Sequence, residues 1–125
     1  FALLAYVANN TEYDLELQRI REAVRDRYQV ATCVGFGPRF LHSTGQAHKG
    51  GPNTGVFLQI TRDHAVDLPV PGQKYSFGVV EAAQAGGDLE VLAERGRRAL
   101  RVHLGSDAVA DLARLRELLC EAIRT

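Results

Sequence analysis

Four apolar runs, at residues 1–7, 30–36, 55–61 and 99–104, restrict the fold of this chain more than any other feature. A strand with one face in water alternates polar and apolar residues. The first three runs barely alternate, which is the pattern of strands covered on both faces. Helix-length stretches separate the runs, so consecutive strands are expected to run parallel and to be joined by right-handed crossovers. The expectation is an α/β fold, a three-layer sandwich with a mostly parallel sheet flanked by helices.

The intervening stretches carry helix signals. Asn9-Asn10 closes the first run, and Thr11-Glu12-Tyr13-Asp14 has the S/T-x-x-D/E form of a helix start. Tyr13, Leu17, Ile20, Val24 and Tyr28 then recur at steps of three and four, as one buried face requires. Arg19, Glu22, Arg25 and Asp26 fall on or near the opposite, solvated face. Ser76 is placed to cap a helix that runs to about Ala85; Gly86-Gly87 stops it and Asp88 restarts it as far as Arg98. Gly105-Ser106-Asp107 turns the chain into a last helix with Leu112, Leu115, Leu119 and Ile123 inward. Residues 62–75, with Pro69, Pro71 and Gly72, read as an irregular excursion, and long connections of this kind often carry function.

With 125 residues, 46% of them hydrophobic, the chain forms a single domain over 1–125 and has no room for a second core. Fifteen basic and fifteen acidic side chains cancel, which argues against nucleic acid or an anionic membrane as a partner. No apolar run approaches the roughly 18 residues of a membrane span. Cys33 and Cys120 lie far apart in apolar surroundings and read as buried thiols of a reduced, cytoplasmic protein. The chain contains no Met and opens directly into a strand, so it is expected to be a carboxyl-terminal piece of a longer protein.

Between the second and third runs lies GFGPRFLHSTGQAHKGGP, residues 35–52. A connection needs turn residues, but not this many donors and acid–base groups. In open α/β sheets, ligands sit beyond the carboxyl ends of the strands, and this segment leaves one of those ends. His42 and His48 are six positions apart, on different faces of a helix, with no third ligand or carboxylate in the stretch, so no metal is expected. The glycines and Lys49 lack the order of a phosphate-binding P-loop. Adjacent His42 and Ser43 point apart on regular backbone, which weakens a nucleophile–base pairing. Structural histidines and turn-forming glycines are the plain alternative. The set as a whole suits a hydroxylated anionic ligand: Ser43, Thr44 and Gln46 for hydroxyls, Arg39 or Lys49 for phosphate, an imidazole for the proton.

The run P-R-F-L-H-S-T-G-Q-x-H-K-G-G-P-N-x-G-x-F-L-Q-I, residues 38–60, resembles the carboxyl-terminal part of phosphoglucose isomerase, most of all the form fused behind a transaldolase in some bacteria. Y-S-F-G (residues 75–78), A-A-Q-A-x-G-D (82–88), G-R-R (96–98) and R-V-H-L-G (101–105) follow in the order of that fused family. The likeness covers nearly the whole chain; its first motif is specific and the later ones are short. It implies a flavodoxin-like sugar isomerase domain. It also implies interconversion of glucose 6-phosphate and fructose 6-phosphate through a cis-enediol, with no metal or organic cofactor.

By the same resemblance, His42 matches the histidine that assists ring opening, Gln46 matches the glutamine after it, and His48 matches a second histidine of structural role. Gln84 matches the glutamine of a later helical run. The residue before the catalytic histidine is often Gln in the family and is Leu41 here. A late lysine of the family falls near Val91, so Lys49 or Lys74, or an arginine such as Arg97, is left to replace it, Lys49 before the others. The base glutamate and the main phosphate loop belong to an earlier part of the parent, and neither Glu81 nor Glu90 is assigned to that role. The implied partners are a sugar phosphate, the remainder of the parent chain and further copies of it, since family sites are assembled across subunits. Two rivals stay open: a non-catalytic sugar-phosphate-binding regulatory domain, and a purely structural or dimerisation half.

Overall fold

A computed structural model describes all residues, 1–125. The elements in chain order are β1 (Ala2–Ala5), α1 (Thr11–Tyr28), β2 (Cys33–Phe36), a 3₁₀ turn (Arg39–His42), α2 (Thr44–Gly50), β3 (Val56–Arg62), α3 (Phe77–Glu94), β4 (Arg98–Leu104) and α4 (Ala108–Ala122). The four strands form one parallel sheet in the order β2-β1-β3-β4. Ala5 lies between Phe36 on one side and Ile60 on the other, so the three carboxyl ends fall in line. The fold is the expected α/β three-layer sandwich. The chain builds outward from β1 in one direction and then in the other, which makes the β1/β3 boundary a topological switch point.

Alternation along the strands divides two cores. Leu3, Ala5, Val7, Leu58, Ile60 and Leu104 face Leu17 and Ile20 of α1 and Leu112 of α4. Ala2, Leu4, Tyr6 and Phe57 face the other way, with Phe40 of the 3₁₀ turn and Ala85 and Leu92 of α3. The first layer is closed by ion pairs as well: Glu16, 8% exposed, holds Arg19 of its own helix and Arg116 of α4 at 2.9 Å. Burial alone would push the Glu16 carboxyl up, but Arg116 and Arg19 outweigh it and hold the group below the usual carboxylate range.

Several details differ from the sequence reading. Asn10, not Thr11, caps α1: its side chain accepts from the Tyr13 N–H at 2.9 Å. Tyr28 is 53% exposed because it lies in the last turn, where Gln29 turns left-handed at φ 55° and ends the helix. Gly86-Gly87 does not interrupt α3. Each glycine costs roughly 1 kcal/mol against alanine, but Ser76 caps the helix through the Val79 N–H, buried Ala85 and Leu92 fix it to the sheet, and buried Asp88 ties it to α2. Ile123 is the carboxyl cap of α4 rather than part of its inner face. Cys33 is exposed on the edge strand β2, and Cys120 is half-buried; both are free thiols, neither of them buried.

Candidate functional site at the carboxyl edge of the sheet

The segment after β2 begins with close packing. Gly37 passes over the Tyr6 ring so tightly that a Cβ there would stand 2.5 Å from a ring carbon, and this approach explains the glycine. Buried Phe40 then meets the Tyr6 ring edge-on, with centroids 5.5 Å apart. Phe40 anchors the 3₁₀ turn and leaves its other residues outward: Arg39 and His42 are exposed, as are Ser43, Thr44 and Gln46 beyond them. Gln46 Nε2 donates to the Leu41 carbonyl at 2.6 Å, and Ser43 Oγ donates to the Phe40 carbonyl at 3.4 Å, so both also hold the turn.

The second half of α2 faces inward. Lys49 Nζ lies 2.8 Å from Asp88 Oδ1, and the Asp88 side chain is 2% exposed. Its ammonium is therefore taken up by α3. Arg97 donates to the Lys49 and Gly51 carbonyls at 2.8 and 2.6 Å and ties the end of α2 to the start of β4. His48 stacks obliquely on Phe57, 4.9 Å between centroids, and lines a cavity of about 290 Å³ at the amino ends of the strands. Burial pushes its imidazole below the usual histidine range, against the opposing pull of Asp88. Gln84 is half-buried on α3. The structure thus keeps Arg39, His42, Ser43, Thr44 and Gln46 together on one surface, and sets Lys49 and Gln84 apart from them.

A larger cavity, about 400 Å³, opens at the carboxyl ends of β1, β3 and β4, beneath the first turns of α3. None of the seven residues singled out from the sequence lines it. Behind its lining residues Ala85 and Arg101 runs a hydrogen-bonded chain. Gln59, fully buried, donates Nε2 to the Ala85 carbonyl at 2.9 Å and accepts from Arg101 Nε at 2.7 Å. The rim holds two imidazole–carboxylate pairs, His64 with Glu81 at 3.5 Å and His103 with Asp63 at 3.3 Å. Thr61 Oγ1 lies 2.9 Å from His103 Nδ1. Asp67 accepts from Ser76 Oγ and the Gly78 N–H at 2.6 and 2.9 Å, folding residues 62–75 back onto α3. Bonding to these donors holds its carboxyl below the usual range.

Tyr6 joins the two regions. Its ring packs on Gly37 and Phe40, yet it also lines the cavity, and its hydroxyl is buried beside the Asp88 carboxylate. Burial first, and then the Asp88 and Glu81 carboxylates, push its ionisation up; Arg101 opposes them only in part. The phenol stays protonated in neutral solution. The sequence held two signals for this cavity: the excursion at 62–75 supplies Asp63, His64 and Asp67, and Arg101 and His103 alternate with Leu100, Val102 and Leu104, which gives β4 one polar face near its carboxyl end.

Compared with known proteins, the chain matches no family model and no curated protein. Among solved structures it is similar to a hypothetical protein from Thermus thermophilus, with a TM-score of 0.76 and 15% identity. The match covers 98% of this chain and 34% of that one, so the chain spans about a third of that protein's length. At such identity the likeness shows the fold alone. No helix is long and apolar enough to cross a membrane.

Proposed function

We propose that the chain is the carboxyl-terminal sugar isomerase domain of a glucose-6-phosphate isomerase, in a parent that also carries a transaldolase. The observation that carries this reading is His42. It stands exposed on a 3₁₀ turn at the carboxyl edge of a parallel sheet, inside the 38–60 run that resembles the isomerase family. The exposure fits a site completed by groups from outside this chain, another part of the parent or a second copy.

In this mechanism the His42 imidazole takes the proton of the anomeric hydroxyl and returns one to the ring oxygen, so the ring C–O bond breaks with no net change of charge. A neutral imidazole can do both because one nitrogen accepts while the other donates. A carboxylate from outside the chain then moves the proton between the first two carbons. Arg39 is the exposed cation of the turn and meets phosphate. Lys49, engaged with Asp88, supports α2 from behind. Ser43, Thr44 and Gln46 serve sugar hydroxyls. The isolated chain, without the base, is inactive.

The test is a coupled assay on the full-length protein. His42→Ala is expected to lower kcat for the cyclic sugar by about 10²–10⁴, with KM nearly unchanged. Equal turnover in variant and wild type removes His42 from the reaction. A wild-type parent that binds the sugar phosphate and never converts it favours a regulatory sugar-phosphate-binding domain instead.

A further inference from the structure

The apolar side chains that the fold leaves outside are unevenly placed. Of the eleven large ones exposed to water, five fall within residues 66–79: Val66, Leu68, Tyr75, Phe77 and Val79, from 46% to 80% exposed. The other six are spread over the rest of the chain. The five belong to one ordered piece of backbone. Pro69 and Ser76 form an antiparallel bridge; the Phe77 N–H donates to the Leu68 carbonyl at 2.9 Å, and the Val70 N–H donates to the Tyr75 carbonyl at 3.1 Å. Gly72, left-handed at φ 76°, turns the chain at the tip. Asp67 clamps the base through Ser76 and Gly78. The excursion after β3 thus closes on itself as a small hairpin.

Side chains alternate across such a pairing, so Leu68, Val70, Tyr75 and Phe77 share the face opposite Pro69 and Ser76. Leu68, Tyr75 and Phe77 on that face stand in water. With Val66 and Val79 at the base they make an apolar patch on the order of 500 Å², the upper end of what monomers carry and the mark of a contact surface. Charge of both signs flanks it. Lys74 is exposed near the tip, and Asp63, its side chain 96% exposed, precedes the base.

We propose that this hairpin is an interface between two copies of the chain, packed face to face about a two-fold axis that crosses the hairpins. Such an axis sets them antiparallel, tip against base, so Lys74 of each copy meets Asp63 of the other; parallel hairpins would oppose Lys74 to Lys74. Two patches together bury about 1,000 Å², the lower bound of a specific interface. The zero net charge adds no long-range repulsion between copies. The bonded backbone is already ordered, so docking costs little further entropy. The interface does not need His42 to act on a sugar.

Two measurements on the full-length protein test it. Isotope-labelled and unlabelled protein are mixed in equal amounts, left to exchange and joined with a zero-length carbodiimide, and mass spectrometry reads the products. The expected product is a Lys74–Asp63 amide that links a labelled chain to an unlabelled one. Sedimentation equilibrium should show self-association, weakened at least tenfold by Phe77→Ser and by Leu68→Ser. Both side chains are exposed, and circular dichroism confirms that each variant is folded. Where the parent also assembles through another surface, the mass falls by one two-fold step, tetramer to dimer instead of dimer to monomer. Lys74→Glu and Asp63→Lys should each weaken association several-fold and, combined in one chain, restore it. Unchanged association in both serine variants, or no mixed-isotope amide at Lys74, overturns the proposal. So does a Lys74 amide formed only with a carboxylate of its own chain outside residues 1–125, which would make the remainder of the parent the cover.

Discussion

Against α1 and α4 the sheet presents Leu3, Ala5, Val7, Leu58 and Ile60; against α2 and α3 it presents Tyr6 and Gln59 beside Ala2, Leu4 and Phe57. The first interior is mostly apolar, and its polar groups, Glu16 with Arg116 and the Tyr13 hydroxyl with Arg62, sit at its margins. The second holds a buried carboxylate, an ammonium, an amide and a phenol, with a cavity at one end. The same parallel sheet thus has a side that supplies stability and a side that holds chemistry. Strand alternation is what allows this, since neighbours along β1, Ala5 and Tyr6, serve opposite interiors.

The sharpest way to break that contrast is to cut into the apolar side. Leu17 is fully buried between α1 and the sheet. Leu17→Ala is expected to cost about 2–5 kcal/mol by lost burial and the void it leaves, measured by urea unfolding. The His48 imidazole NMR signal, measured well below the midpoint, should stay unchanged, since that ring packs on Phe57 on the opposite side. A variant that keeps its stability, or shifts the His48 signal while folded, would show that the two sides are not separable in this way.

On the other side, the expected loss comes from an unpaired charge. Asp88→Ala leaves the Lys49 ammonium facing an apolar interior. The cost should fall below the roughly 3–5 kcal/mol of a fully buried pair, because the Lys49 side chain keeps 19% of its surface. Lys49→Met with Asp88→Leu should recover part of the loss, since an apolar pair needs no desolvation of charge. If the double variant is no more stable than Asp88→Ala, the ion pair contributes shape rather than charge.

Much of the first side was legible in the sequence, and little of the second. Tyr13, Leu17, Ile20 and Val24 announce a helix face because burial repeats at helical spacing. The apolar runs announce the sheet because both faces are covered. The cavity gathers Tyr6, Thr61, Glu81 and Arg101 from four separate elements, and no local spacing records that they meet. Nor does sequence tell that Lys49 turns inward to Asp88 while His42, seven residues earlier, turns outward. Phe40 decides that orientation by docking on Tyr6. Gly86-Gly87 misled for the reverse reason: glycine lowers helix propensity locally, but buried residues on either side of the pair override it.

The smallest effect expected concerns pH, and it follows from His48 at the opposite end of that same side. Its imidazole is held below the usual range by burial against Phe57, with Asp88 pulling the other way. The unfolded chain therefore binds a proton that the folded chain resists. Stability from this residue is fully present above the ordinary histidine value of about 6.5 and is lost as pH falls toward the lower folded value. Urea midpoints taken between pH 8 and pH 5 should drop less in His48→Gln than in the wild type. Parallel profiles would mean that the amino-terminal end of this interior admits the charged ring, and that its polar character runs the full depth of the sheet rather than gathering at the carboxyl edge.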